Sequence, residues 1–246
     1  MGALAPKIFF VALAVLVGPS GHGCQATASE PDTPQWSVTV GGTSDYVFRG
    51  ISYNDERPAA QASVDVSYGI LSAGIWGSNV ADVGYEPTET DFYVNIKPVW
   101  GAITFDFGAI WYTYPGANPG PLGYDSIELK AGVQFSPVAR LSIEPSFWYV
   151  PDQKNAPVTY TFESAFNYEL PAVVGFTPTV VGLVGYTDAK DADAFFLGVS
   201  DYAYWNGGLE WAIENFAFDL RYWNTNIVAE GLADERFTFT TSLSLP

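Results

Sequence analysis

From Trp36 to Leu245 the chain repeats one device about a dozen times: some ten residues alternate apolar and polar, a turn follows, and the pattern begins again. In Arg236-Phe-Thr-Phe-Thr-Thr-Ser-Leu-Ser-Leu245, one face carries Phe237, Phe239, Leu243 and Leu245, and the other Thr238, Thr240, Ser242 and Ser244. Successive strand side chains point to opposite faces, so each segment has one side for an apolar medium and one for water. The period predicts twelve strands over 36–50, 58–68, 71–80, 89–100, 102–114, 124–135, 139–150, 158–169, 175–187, 201–213, 215–226 and 235–245.

The connections between these strands sort by length. Short turns are expected at Gly69-Ile70, around Gly101, at Ser136-Pro137-Val138, from Leu170 to Val174, and at Glu214-Asn215. Longer polar loops are expected at Ile51–Arg57, Ala81–Thr88, Pro115–Gly123, Pro151–Pro157, Thr187–Ser200 and Ile227–Asp234. Strict alternation of short turns and long loops, with an even strand number, is the habit of outer-membrane barrels. A soluble β-sandwich with Greek-key crossings has no reason to sort its loops in this way. The expected fold is therefore all-β: a transmembrane antiparallel up-and-down β-barrel of about twelve strands, with the soluble periplasmic sandwich as its rival.

Parity then assigns the faces. The lipid side takes Val64, Val66 and Tyr68; Ile103, Phe105, Phe107 and Trp111; Ile127, Leu129, Val133 and Phe135. It also takes Leu141, Ile143, Phe147 and Tyr149; Tyr160, Phe162, Phe166 and Tyr168; Phe216, Phe218, Leu220 and Tyr222. Aromatic residues make up 16 % of the chain. Tyr68, Trp100, Tyr112, Tyr149, Tyr168, Trp205 and Tyr222 stand near strand ends, as in the two aromatic girdles of a membrane barrel. A general preference of aromatics for strands accounts for part of the same enrichment.

The polar faces carry Asp45, Arg49, Asp65, Asp91, Asp106, Glu128, Lys130, Glu144, Glu163, Glu210, Asp219 and Arg221. A charge facing hydrocarbon near the midplane costs several kcal/mol, so mid-strand charges belong to the lumen. Nine of these twelve are acidic and three basic, an excess that would concentrate cations and repel anions. The same residues fit a second reading. Barrels of this size can fill their interiors, and Asp219 with Arg221, or Glu128 with Lys130, could belong to an ion-pair network that braces the wall.

The first 28 residues differ in kind. Lys7 precedes an apolar run from Ile8 to Val17, and small residues follow, ending in Ala26-Thr27-Ala28. A positive start, a short apolar region and an A-x-A site make a secretory signal peptide. Cleavage is expected after Ala28, with Ala26 as the alternative site. Residues 29–35 would then form a short linker and 36–246 the barrel. Cys24 raises a lipoprotein reading, which the absence of a Leu three positions before it weakens. Cleavage removes the only Met, His and Cys, and the loss of Lys7 takes the net charge from −17 to −18.

These losses exclude several function classes from the mature chain. It has no disulfide, no His general base and no His metal site, which argues against a barrel hydrolase. Its charge opposes nucleic-acid binding, which needs clustered Lys and Arg. The acidic run Asp188–Asp193 lacks the glycine and terminal Glu of an EF-hand loop, and no Gly-rich phosphate loop precedes a helix. No enzymatic activity, cofactor or metal is expected.

One segment carries a family resemblance. Ser44-Asp-Tyr-Val-Phe-Arg-Gly-Ile-Ser52, followed by Pro58-Ala-Ala-Gln61, resembles the opening of the TorF family of porins, outer-membrane barrels formerly of unknown function. Phe216-Ala-Phe-Asp-Leu-Arg-Tyr-Trp-Asn-Thr225 is similar to that family's penultimate strand. The resemblance implies a Gram-negative outer-membrane location, contact with lipid and with the barrel-assembly machinery, and passage of small solutes or ions. In one respect the chain departs from such barrels: it ends Leu243-Ser244-Leu245-Pro246, without their usual terminal aromatic. The resulting expectation is a weakly cation-selective passive channel, with a plugged structural or adhesion barrel as the alternative.

Overall fold

The computed structural model describes residues 33–80, 88–115, 125–154, 156–173, 175–190, 199–228 and 231–246. The predicted leader at 1–28 and most of the linker lie outside them. Twelve strands form the wall: β1 (Gln35–Thr43), β2 (Ala59–Tyr68), β3 (Leu71–Asn79), β4 (Thr88–Ile96), β5 (Ile103–Thr113), β6 (Ser126–Val138), β7 (Leu141–Val150), β8 (Thr159–Glu169), β9 (Pro178–Ala189), β10 (Asp201–Ile213), β11 (Phe216–Thr225) and β12 (Arg236–Leu245). Each pairs antiparallel with its chain neighbours, and β1 pairs with β12 from Val38 opposite Leu245 to Thr43 opposite Thr240. The sheet is thus a closed twelve-stranded barrel with no free edge.

The predicted faces are realised. Val40, Val64, Phe92, Phe107, Leu129, Phe162, Val184, Leu209, Leu220 and Phe239 all point outward and are exposed. An apolar band of this extent suits hydrocarbon rather than water. Tyr68, Trp100 and Tyr168 stand exposed at the short-turn end, and Trp205 near the opposite end.

Three sequence expectations need correction. Ser136-Pro137-Val138 is not a turn: β6 runs to Val138, and its pairing with β7 shifts register between Leu141 and Ile143. Such a bulge accommodates Pro137, which has no N–H to give to a ladder. The turn falls instead at Ala139-Arg140, where Arg140 adopts φ 68°. The connection expected to be short at Leu170–Val174 extends over 170–177. The first strand does not run to residue 50. It ends at Thr43, and the chain then turns into the barrel.

Candidate functional site: the lumen and its inward hairpin

Between β1 and β2, residues Val47-Phe48 and Ile51-Ser52 pair as a two-residue-turn hairpin. Arg49 (φ 49°) and Gly50 (φ 82°) form its tip, and positive φ at both central residues is the type I′ geometry that matches strand twist. The tip is crowded: a Cβ on Gly50 would stand 2.5 Å from Thr225 Cγ2, so glycine answers both a conformational and a steric demand. Every residue from Asp45 to Ser52 is buried. At the base, Asp45 accepts from Ser52 Oγ (2.7 Å) and Arg236 Nη1 (2.9 Å), and the Ser52 amide donates to Leu232 O (2.8 Å). One flank packs Tyr46 and Phe48 against Ala59, Trp76 and Val80; the other packs Ile51 against Tyr202, Tyr204 and Ala233.

Arg49 carries the hairpin across the lumen. In ring order its root lies opposite β7. There the guanidinium lies 5.5 Å from the centre of the Trp148 ring on β7, with Phe48 at 4.7 Å. Carboxylates from the two strands beside β7 hold it: Glu128 of β6 at 3.0 Å and Glu163 of β8 at 3.7 Å. Each of these carboxylates has a second donor, Tyr112 Oη to Glu128 (2.9 Å) and Tyr204 Oη to Glu163 (2.6 Å). A guanidinium stays protonated at any physiological pH, so the hairpin tip carries a fixed positive charge.

A cavity of about 490 Å³ lies against the hairpin and extends toward the short-turn end, where Lys97, Thr104, Gln134, Glu144, Asn167 and Ser242 line it. Its wall is organised in charge groups. Asp106 accepts from Lys130 Nζ at 2.7 Å and faces Lys97 Nζ at 3.7 Å. Arg221 binds Asp219 at 2.7 Å, lies 3.9 Å from Glu210 and donates to Asn206 (3.3 Å). Glu144 accepts from Gln134, Ser142 and Asn167, neutral partners that leave its charge uncancelled. Among the described residues Asp65 likewise accepts from hydroxyls alone, those of Ser63 and Tyr93. Nearer the long loops, Glu89 and Asp91 are fully buried, and among the described residues no basic side chain pairs with either.

The structure brings all twelve nominated side chains to the interior. Asp65, Asp91, Asp106, Glu128, Lys130, Glu144, Glu163, Glu210, Asp219 and Arg221 do so from the inward parity of the wall, and Asp45 and Arg49 from the hairpin, not from strand one. Glu128 and Lys130 each find an ion-pair partner on another element: Glu128 serves Arg49 of the hairpin, and Lys130 serves Asp106 of the neighbouring strand. Tyr112 is no girdle residue. It shares the inward parity of Asp106 and Ile110, and it is fully buried. Glu89, two residues before Asp91 on the same face, and Arg236, in phase with Thr238, escaped the sequence reading although parity was enough to find them. The interior roles of Trp76, Trp148 and Tyr204 follow from the same rule.

A sequence profile of the family described as "Bacterial protein of unknown function (Gcw_chp)" matches residues 25–242. No curated protein matches the sequence. Among solved structures, the NanC porin superposes with a TM-score of 0.56 at 10 % identity, covering 86 % of this chain and 100 % of its own. A KdgM porin in complex with disordered oligogalacturonate gives a TM-score of 0.56 at 8 % identity, covering 85 % and 99 %. At such identities the likeness is one of fold.

Proposed function

This chain belongs to the Gcw_chp family, bacterial proteins of unknown function, and we propose that it is an outer-membrane channel for passive diffusion of small solutes. The observation that carries the reading is a closed barrel, apolar outside, around a cavity of about 490 Å³ lined by ionisable side chains. The TorF-like segment Ser44–Ser52 and the leader at 1–28 support it. Export would end with signal-peptide cleavage after Ala28, followed by insertion through the barrel-assembly machinery. The function requires no cofactor and no chemical step.

The channel is weakly cation-selective in this reading. Among the described residues Asp65 and Glu144 face the interior with neutral partners only, while Arg221 and Arg49 are each matched by carboxylates and Lys130 shares Asp106 with the half-exposed Lys97. The KdgM porin was solved with a polyanionic saccharide. An acid-rich wall repels such a polymer, so the solutes proposed here are neutral or cationic.

The hairpin supports a second reading, a plugged barrel with a structural or adhesive role, because it bridges the lumen from wall to wall. Conductance of the purified protein in planar bilayers separates the two. Discrete channels with a cation-sided reversal potential are expected; a folded barrel that conducts neither as wild type nor with the hairpin removed would overturn the channel.

A further inference from the structure

The hairpin fills the lumen without contributing to the wall. All twelve strands close through β1–β12 and β4–β5 ladders, and the β1–β12 seam ends at Ser44, whose amide donates to Phe239 O, so the hairpin residues 45–52 take no part. Moving the hairpin therefore breaks no rung of the barrel.

Beside the packing of its flanks, its ionic hold on the opposite wall rests, among the described residues, on one side chain. Arg49 bridges two carboxylates on the opposite wall, and both have alternative donors in Tyr112 and Tyr204. Leaving a buried charge without a partner is what makes such pairs costly to open. Here the wall side of the pair keeps a hydroxyl donor on each carboxylate when Arg49 departs. The guanidinium gives up less than a full hydrogen-bonding set, because its Nε has no partner even in the seated position. Beyond the tip, the cavity offers further carboxylates, Asp106 and Glu144, that face the same space. The ionic part of the closed position is thus a contact whose loss leaves each wall carboxylate a hydroxyl donor but no cation.

We propose that the Asp45–Ser52 hairpin is a latch-held gate: the Arg49 contact with Glu128 and Glu163 keeps the lumen occluded, and its release opens the diffusion path. The gate rests on the channel reading above and adds to it a closed state with a named lock. It also reconciles an interior that is filled near the long loops with a cavity that continues toward the other end.

The test compares single-channel recordings of four folded barrels, each checked for heat-modifiable migration on gels. Arg49→Ala and the double variant Glu128→Gln/Glu163→Gln are expected to raise open probability about tenfold over wild type, equivalent to 1.4 kcal/mol of lost closed-state stabilisation. Gly50→Cys/Thr225→Cys places two thiols side by side at the tip, because a Cβ on residue 50 would stand 2.5 Å from Thr225 Cγ2, an atom that the second substitution removes. The predicted mature chain has no other cysteine. Oxidised, this variant is expected to be silent, and dithiothreitol is expected to restore activity in the same sample.

Arg49→Ala conducting as wild type does, or the oxidised tether conducting as the reduced form does, would overturn the gate while leaving the channel intact. A fourth variant replaces residues 46–53 by a short glycine turn. Silence of this folded barrel together with the others would overturn both channel and gate.

Discussion

Asp45 and Arg236 stand 191 positions apart in sequence and 2.9 Å apart in space, joining the root of the inward hairpin to the first residue of the last strand. Both side chains are about nine-tenths buried. Arg236 also donates to the Asp234 and Gly231 carbonyls, so it orders the final long loop as well. Truncating one partner of a buried pair leaves the other charge with too few ligands. Arg236→Ala is therefore expected to destabilise the barrel by about 3 kcal/mol, read as a lowered urea midpoint in lipid vesicles. Arg236→Lys should recover part of the loss, since a point charge keeps the Asp45 contact but not the fork to the two carbonyls.

The outward apolar band predicts a depth-dependent penalty. Phe107 lies near the middle of β5 and faces outward, whereas Ile103 begins the same strand at the short-turn end. Phe107→Arg is expected to cost about 2–4 kcal/mol and Ile103→Arg about 0–1 kcal/mol. Equilibrium unfolding of both variants from vesicles checks the difference. Equal costs would mean that this face does not meet a bilayer.

The wall was legible in the sequence because a period of two is a strong constraint: placing Phe107 outside places Asp106 inside, and one lipid-facing residue fixes its whole strand. The hairpin was not legible for the same reason. Tyr46 and Phe48 resume the parity of Trp36, Val38 and Val40 after Gly42 and Ser44, so pattern alone extends the strand to residue 50. The signal for its turn is Arg49-Gly50, and arginine is an unusual partner for glycine in a type I′ turn, where Asn or Asp is expected. Arg49 accepts this conformation because its side chain is held on the far wall. That contact with Glu128 spans 79 positions and leaves no local trace. Tyr112 lies near a strand end, where girdle aromatics gather, yet its parity with Asp106 and Ile110 points it inward. Pro137 read as a turn residue because a bulge and a turn share the same marker.

Close strand approach sets a second stability test. A Cβ on Gly208 would fall 2.0 Å from the Leu220 carbonyl oxygen, a backbone atom that cannot step aside, whereas one on Gly42 meets nothing nearer than 3.6 Å. Gly208→Ala is expected to cost about 1–3 kcal/mol through forced backbone shifts, and Gly42→Ala to leave the unfolding midpoint near wild type. Comparing the two in one vesicle series separates the steric cause from any general effect of replacing a strand glycine.

The sign of the lumen charge gives the most direct functional prediction. Asp106 is the carboxylate shared by Lys130 at 2.7 Å and Lys97 at 3.7 Å. Asp106→Asn leaves two ammonium groups facing the cavity with no carboxylate between them, so the reversal potential in a salt gradient should move toward the anion side. Lys130→Met should move it the other way, because Asp106 then keeps only the half-exposed Lys97. Glu144→Gln should also reduce cation preference, since its partners Gln134, Ser142 and Asn167 carry no charge to release. All three shifts should shrink at high salt, as the screening length falls from about 10 Å at 0.1 M to about 3 Å at 1 M. A cation-sided shift for Asp106→Asn, or three shifts that ignore ionic strength, would show that the ions do not pass these side chains.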